Sequence, residues 1–184
     1  MRAVTKVTRK DLDTMLKKDN LKSHDKGKPS AWEEAIRDRF LLGFINWNRG
    51  YEAWMEWCKT LYEPDCRYLI LTDEPLTLEG YQKSMKIFLD AFDVELQPID
   101  NLLVEGDWGA IRYEMHLTGK PGGKFYGIEV SGKKAVLRTM EFVVFKYNPE
   151  PIGARVKLGI AMADTLGLLQ QLGVLPKGRI EGEL

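Results

Sequence analysis

The order of patterns along this chain predicts an α+β fold, with helices first and one curved antiparallel sheet packed over them. Three observations predict it. Apolar residues recur at three- and four-residue steps between Ser30 and Phe92, with one β-rich interruption. Strand-like runs separated by Gly, Pro and Asp fill most of the remainder. A short leucine-rich helical piece then closes the pattern at Leu172, where Gly173 and Pro176 stop it.

Residues 1–30 read as a basic N-terminal arm and linker. They hold nine Lys/Arg against four Asp/Glu, a net +5 that leaves −5 for the rest of a chain with 27 of each sign. "RKDLDTMLKK" allows a short helix through Leu12, Met15 and Leu16, and "KSHDKGKPS" reads as linker. Two readings stay open: a solvated arm packing on the body or on a second subunit, or a grip on an anionic partner. Ser30 followed by Glu33 is a capping box, and an aromatic-rich helix runs through "AIRDRFLLGFINW". "NRG" at 48–50 breaks it before "YEAWMEWCKTLY" resumes helical spacing with Trp54, Trp57, Cys58 and Leu61. Pro64 leads into the β-rich "CRYLILT", and "LTLEGYQKSMKIFLDAF" carries Leu78, Tyr81, Met85, Phe88 and Phe92 as an amphipathic helix. The strand-like runs are "VELQPIDNLLVEGD", "WGAIRYEMHLTG", "KKAVLRTMEFVVFKY" and "ARVKLGIAMAD"; the closing helix covers Leu166–Leu172. The expected body is one domain over residues 31–176, with 177–184 as a C-terminal tail.

Composition excludes several classes. At 44% hydrophobic and 10% aromatic the chain can bury a full core. A net charge of zero gives no general reason to expect nucleic acid or a membrane surface. Cys58 and Cys66 are too few for a disulfide framework or a cysteine zinc site, and His24 and His116 too few for a histidine-rich metal centre. No run approaches the ~20 apolar residues of a membrane span, and the start carries no signal-peptide pattern. A soluble cytoplasmic protein without a cysteine- or histidine-rich metal site is expected.

Three groups of residues are chemical candidates. In extended backbone Val156, Leu158, Ile160, Met162 and Asp164 share one face, so Asp164 ends an apolar, interior row. There it either caps the closing helix or serves as an acid/base group whose pKa burial raises. Glu141, within "LRTMEFVVF", must be paired, exposed on the outer face, or functional. Arg112, Glu114 and His116 alternate onto one face of their strand, opposite Ile111, Tyr113, Met115 and Leu117. That charged face reads as solvent or subunit contact; turned inward it would be an acid/base constellation. Phe44, Trp47, Trp54, Trp57 and Phe88 read as core, some of them lining a pocket. "GKPGGKF" lacks the spacing and following helix of a phosphate cradle.

The chain resembles the SnoaL-like polyketide cyclases of the nuclear transport factor 2-like superfamily. The resemblance rests on "NRG" between two helices, "LYEPD" before the first strand, "LTLEGYQKSMKIFLDAF", "EGDWGAIRY", "LTGKPGGKFYGIEVSGKKAVLRTMEFVVF" and, most specifically, "DTLGLLQQLGVLP". It implies a cone enclosing an apolar pocket for a hydrophobic, polyketide-like molecule, and ring closure by intramolecular aldol condensation without a cofactor. It places the proton-transferring aspartate at Asp164. Lys120-Pro121-Gly122-Gly123 stands where the family often has Thr-His-x-Gly; Ile160 replaces a Trp, Leu158-Gly159 an acidic pair, and Tyr51 the last residue of Asn-x-Gly-Asp. If the charged face of its strand turns inward, His116 is the candidate to take the missing histidine's part. The function expected is thus isomerase- or lyase-type acid/base chemistry on a hydrophobic small molecule. Asp164, His116 and Glu141 are the catalytic candidates, and Arg112, Tyr113, Ile160, Met162, Trp54 and Phe88 the substrate-binding ones. A non-catalytic ligand-binding or dimer-forming module, and a hydrolase or dehydratase of the same superfamily, are the alternatives. Association into a homodimer or higher homo-oligomer is expected, with neither nucleic acid nor membrane as partner.

Overall fold

Helix α1, Ala31–Asn48, starts where the capping box places it: the Ser30 hydroxyl accepts from the Glu33 N–H, and the Glu33 carboxylate accepts from the Ser30 N–H. Gly50, at φ 103°, ends it, a backbone conformation that favours glycine. α2 then runs Tyr51–Leu61. The computed structural model describes residues 10, 30–70, 74–99, 101–148 and 153–176. Apart from Lys10, the helix read in the arm lies outside them, as do the linker with His24 and the tail 177–184.

Strand β1, Tyr62–Ile70, is followed by β2, Leu76–Thr77, and by α3, Leu78–Ala91, whose N-cap Thr77 accepts from the Gly80 N–H. Then come β3 (Phe92–Leu96), β4 (Asn101–Glu105), β5 (Trp108–Gly119), the short hairpin β6 (Lys124–Phe125) and β7 (Ile128–Glu129), β8 (Lys134–Asn148) and β9 (Gly153–Ala163). α4, Thr165–Gln171, closes the fold.

The main sheet has seven strands in the order β2-β1-β9-β8-β5-β3, with β4 also beside β5. Because β3 covers Met115–Gly119 and β4 covers Trp108–Arg112, the two lie end to end along one edge of β5. All pairings are antiparallel except β1 with β9, which is parallel. The expected α+β architecture is therefore present, with one parallel pair inside an otherwise antiparallel sheet. Helices α1–α3 cover its inner face. The core between them includes Ile36, Leu41, Cys58, Cys66, Phe92 and Ile111, each at most 1% exposed. Asn48 pins the end of α1 to β3 by two hydrogen bonds with the backbone of Leu96, and Gln171 pins α4 to the backbone of Val136 in β8.

One local feature redirects the sequence reading. Phe145 pairs with Val156 but Val144 pairs with Leu158, so Lys157 is an extra residue in β9. Such a bulge reverses the alternation of every side chain beyond it. Val156 points inward, but so do Gly159 and Ala161, while Leu158 and Ile160 are only half-buried and Met162 is 54% exposed.

Candidate active site

Between the helices and the concave face of the sheet lies a cavity of about 130 Å³. Its walls are mostly rings and aliphatic chains from every layer: Phe44 and Trp47 of α1, Trp54 of α2, Tyr81 and Phe88 of α3, and Tyr68, Tyr113, Leu137 and Val143 of the strands. Among its lining residues Arg39 and Glu141 are the sole Lys, Arg, His, Asp or Glu side chains.

Glu141 faces this cavity because β8 turns Ala135, Leu137, Thr139, Val143 and Phe145 inward along with it. One carboxylate oxygen accepts the Tyr68 hydroxyl at 2.7 Å, and the other accepts the Tyr113 hydroxyl. Register explains the meeting: Glu141 pairs with Ile111 and Thr139 with Tyr113, and β1 reaches β8 across β9. Tyr68 is held from behind by Tyr81, stacked at 4.1 Å and 12°. It rests on Gly159, where a side-chain carbon would come within 2.1 Å of the ring.

The electrostatics follow from dryness. Burial raises the Glu141 carboxyl above its ordinary value, and the two tyrosine hydroxyls, which favour the anion, offset part of that rise. Burial likewise holds the phenols of Tyr62, Tyr68, Tyr81 and Tyr113 well above 10, so each remains a hydroxyl. The Thr139 hydroxyl, 3% exposed and two residues from Glu141 on the same face, lies beside the Tyr113 hydroxyl and has no other hydrogen-bond partner among the described residues. A carboxyl of raised basicity near a threonine hydroxyl, inside an apolar chamber, can take a proton from carbon and support the oxygen that receives the charge.

Of the residues singled out in the sequence, Glu141, Tyr113, Trp54, Phe88, Trp47 and Phe44 line the cavity; Trp57 does not. Asp164 does not share the inner row expected for it. It lies past the bulge, is exposed, and caps α4 by accepting the Gly167 N–H at 2.9 Å. Its neighbours Ala163 and Thr165 reach the cavity instead. Ile160 and Met162 face outward for the same reason. His116, at 49% side-chain exposure, and Arg112 lie on the outer face of β5, with the His116 ring 4.0 Å from Glu114. Cys58 and Cys66 are buried free thiols, each pushed up to about 12 by burial. No group of three or more potential metal ligands occurs among the described residues, and no helix there is long and apolar enough to cross a membrane.

Sequence reasoning missed Tyr68, Thr139 and Arg39. Tyr68 carried one signal, since Cys66, Tyr68 and Ile70 share a parity in β1.

Comparison with known proteins agrees with this architecture. The family model described as SnoaL-like polyketide cyclase matches residues 44–172, well over half of the chain. None of the curated proteins is similar enough to match. AclR from Streptomyces galilaeus, described as a candidate hydroxylase, is 21% identical, with 80% of this chain and 87% of that one covered at a TM-score of 0.66. A SnoaL-like candidate polyketide cyclase from Jannaschia sp. CCS1 is 18% identical, with 82% and 99% covered, at 0.66. IdmH from Streptomyces antibioticus, a candidate polyketide cyclase, is 16% identical, with 79% and 100% covered, at 0.57. At these identities the structures share the fold, and the family match carries the assignment: the chain belongs to the SnoaL-like polyketide cyclases.

Proposed function

We propose that the protein is an enzyme that moves a proton on a hydrophobic, carbonyl-bearing small molecule, with Glu141 as the acid/base group. The single observation behind this is the Glu141 carboxyl, raised by burial, turned into an apolar cavity and oriented there by two tyrosine hydroxyls. Glu141 takes the proton from the carbon next to a carbonyl, and the electron pair moves onto the carbonyl oxygen. Thr139 donates its hydroxyl to that oxygen. The enolate carbon then attacks a second carbonyl of the same molecule and closes a ring, or is reprotonated at another position. Glu141 returns the proton in either case. Aldol cyclisation and isomerisation are thus the same first step with different endings, and a polyketide-like chain supplies both carbonyls.

The test follows deuterium uptake at the α-carbons of 2-indanone by NMR. Wild-type protein accelerates exchange, and Glu141→Gln loses about 10²-fold or more, the usual contribution of a positioned acid or base. Equal rates in the two proteins refute the proposal and leave a ligand-binding module.

We also propose that a second copy covers the outer face of the sheet. Trp108, Met140, Phe142 and Met162, between 37% and 55% exposed, stand on neighbouring strands there. Exposed apolar area of this kind marks an interface.

A further inference from the structure

We propose that Arg39 is an anchor for a ligand carboxylate, so that the molecule held beside Glu141 is an organic acid with an apolar body. The inference rests on the reading of this cavity as the substrate site and adds the chemical class of the substrate. Arg39 lines the cavity where α1 passes the C-terminal end of α2, and it is 1% exposed. Its Nη2 makes one long bond, 3.4 Å, to the carbonyl of Thr60. Its Nε and Nη1 have no hydrogen-bond partner among the described residues. No carboxylate there pairs with it, and Glu141 is committed to Tyr68 and Tyr113.

Burial, and then repulsion from Arg155, lowers the Arg39 guanidinium to about 10, so it remains a cation at neutral pH. Burying a charge without a counter-ion is costly. The contacts present, the C-terminal dipole of α2 and the Trp57 ring 4.9 Å from the guanidinium carbon, offset only part of that cost. Arg155, half-buried, adds to the positive potential at Arg39, which an anion in the cavity would offset. Trp47 also lines the cavity, and its Nε1 has no hydrogen-bond partner among the described residues. Unpartnered donors of this kind are satisfied by oxygen atoms that a ligand brings. A carboxylate matches the single charge of Arg39 at the wall, whereas a phosphate would add a second charge to an apolar chamber. The remaining walls are rings and aliphatic chains, which fit an apolar body.

Calorimetric titration of the full chain with benzoate and its neutral isostere benzamide at pH 7 tests this. Wild-type protein binds benzoate about tenfold or more tightly than benzamide, the effect of a charged hydrogen bond, and benzoate alone moves the Arg39 Nε–H NMR signal. Arg39→Met reduces the preference to within about twofold; should that variant not fold, the wild-type comparison and the NMR shift decide. Equal binding of the two probes, no benzoate binding at millimolar concentration, or an unmoved Arg39 signal overturns the proposal. Glu141→Gln binds benzoate at least as tightly as wild type, since it removes a potential anion. If Glu141→Gln retains full proton exchange while benzoate selectivity stands, the catalytic reading falls and the carboxylate anchor survives.

Discussion

Gly159→Ala tests how the site is built without touching any of its polar groups. The added methyl would lie 2.1, 2.5 and 2.6 Å from three carbons of the Tyr68 ring. To reach even 3.0 Å from the nearest, the ring must retreat by about 0.9 Å, and Tyr81 stacked at 4.1 Å limits where it can go. A displacement of that size along the bond axis stretches the 2.7 Å hydrogen bond to Glu141 to about 3.6 Å, beyond hydrogen-bond range. Overpacking costs about 1–3 kcal/mol and the lost bond to a charged group about 1.5–3 kcal/mol. Urea denaturation should therefore show a loss of roughly 2.5–6 kcal/mol. Because the Tyr68 hydroxyl holds the Glu141 pKa down, its departure moves the carboxyl further up. Gly109→Ala is the control: its methyl meets the Phe40 ring at 2.2 Å and not Tyr68 or Tyr113, the two donors to Glu141, and should destabilise while leaving that titration in place. A Gly159→Ala protein that is destabilised but titrates Glu141 as wild type does would refute the reasoning.

Four further outcomes are expected. Glu141 has a folded-state pKa above its unfolded value, so it lowers stability progressively as pH rises from about 4.5 through that higher value. Glu141→Gln removes this dependence, and denaturation midpoints of variant minus wild type should climb across the same range. Tyr113→Phe leaves one carboxylate oxygen without its donor, costing about 1.5–3 kcal/mol in denaturation and raising the Glu141 pKa further. Asp164→Ala loses a helix cap worth about 1 kcal/mol, whereas Asp164→Asn keeps it, and both retain 2-indanone exchange. Phe142→Glu places a charge on the apolar outer face, and sedimentation should show a shift from dimer to monomer with exchange activity measured alongside.

The helices were legible because their signals are local. The capping box at Ser30–Glu33 and the break at Gly50 act within one turn of chain, and both stand where the residues place them. The alternation in β5 was equally plain, since Arg112, Glu114 and His116 oppose four apolar residues. β8 gave no such contrast. Met140, Phe142 and Val144 on one face are as apolar as Leu137, Val143 and Phe145 on the other, so only pairing with β5 and β9 shows which way Glu141 points. In β9 the bulge at Lys157 carries no composition signal of its own, and it moves Asp164 from the expected inner row to the surface. Arg39 was hidden for a different reason. A charged residue in a helix reads as solvent-facing, and only the packing of α1 against α2 puts it in the dry interior.

The central claim is that Glu141 is a carboxyl kept basic by a dry chamber and ready to accept a proton. Carbon-13 NMR titration of the Glu141 side-chain carboxyl in the wild-type protein tests it most directly. The account predicts a midpoint clearly above the ordinary 4.5, rising further when Tyr68 or Tyr113 loses its hydroxyl. A midpoint at or below 4.5, unmoved by either tyrosine, would contradict it.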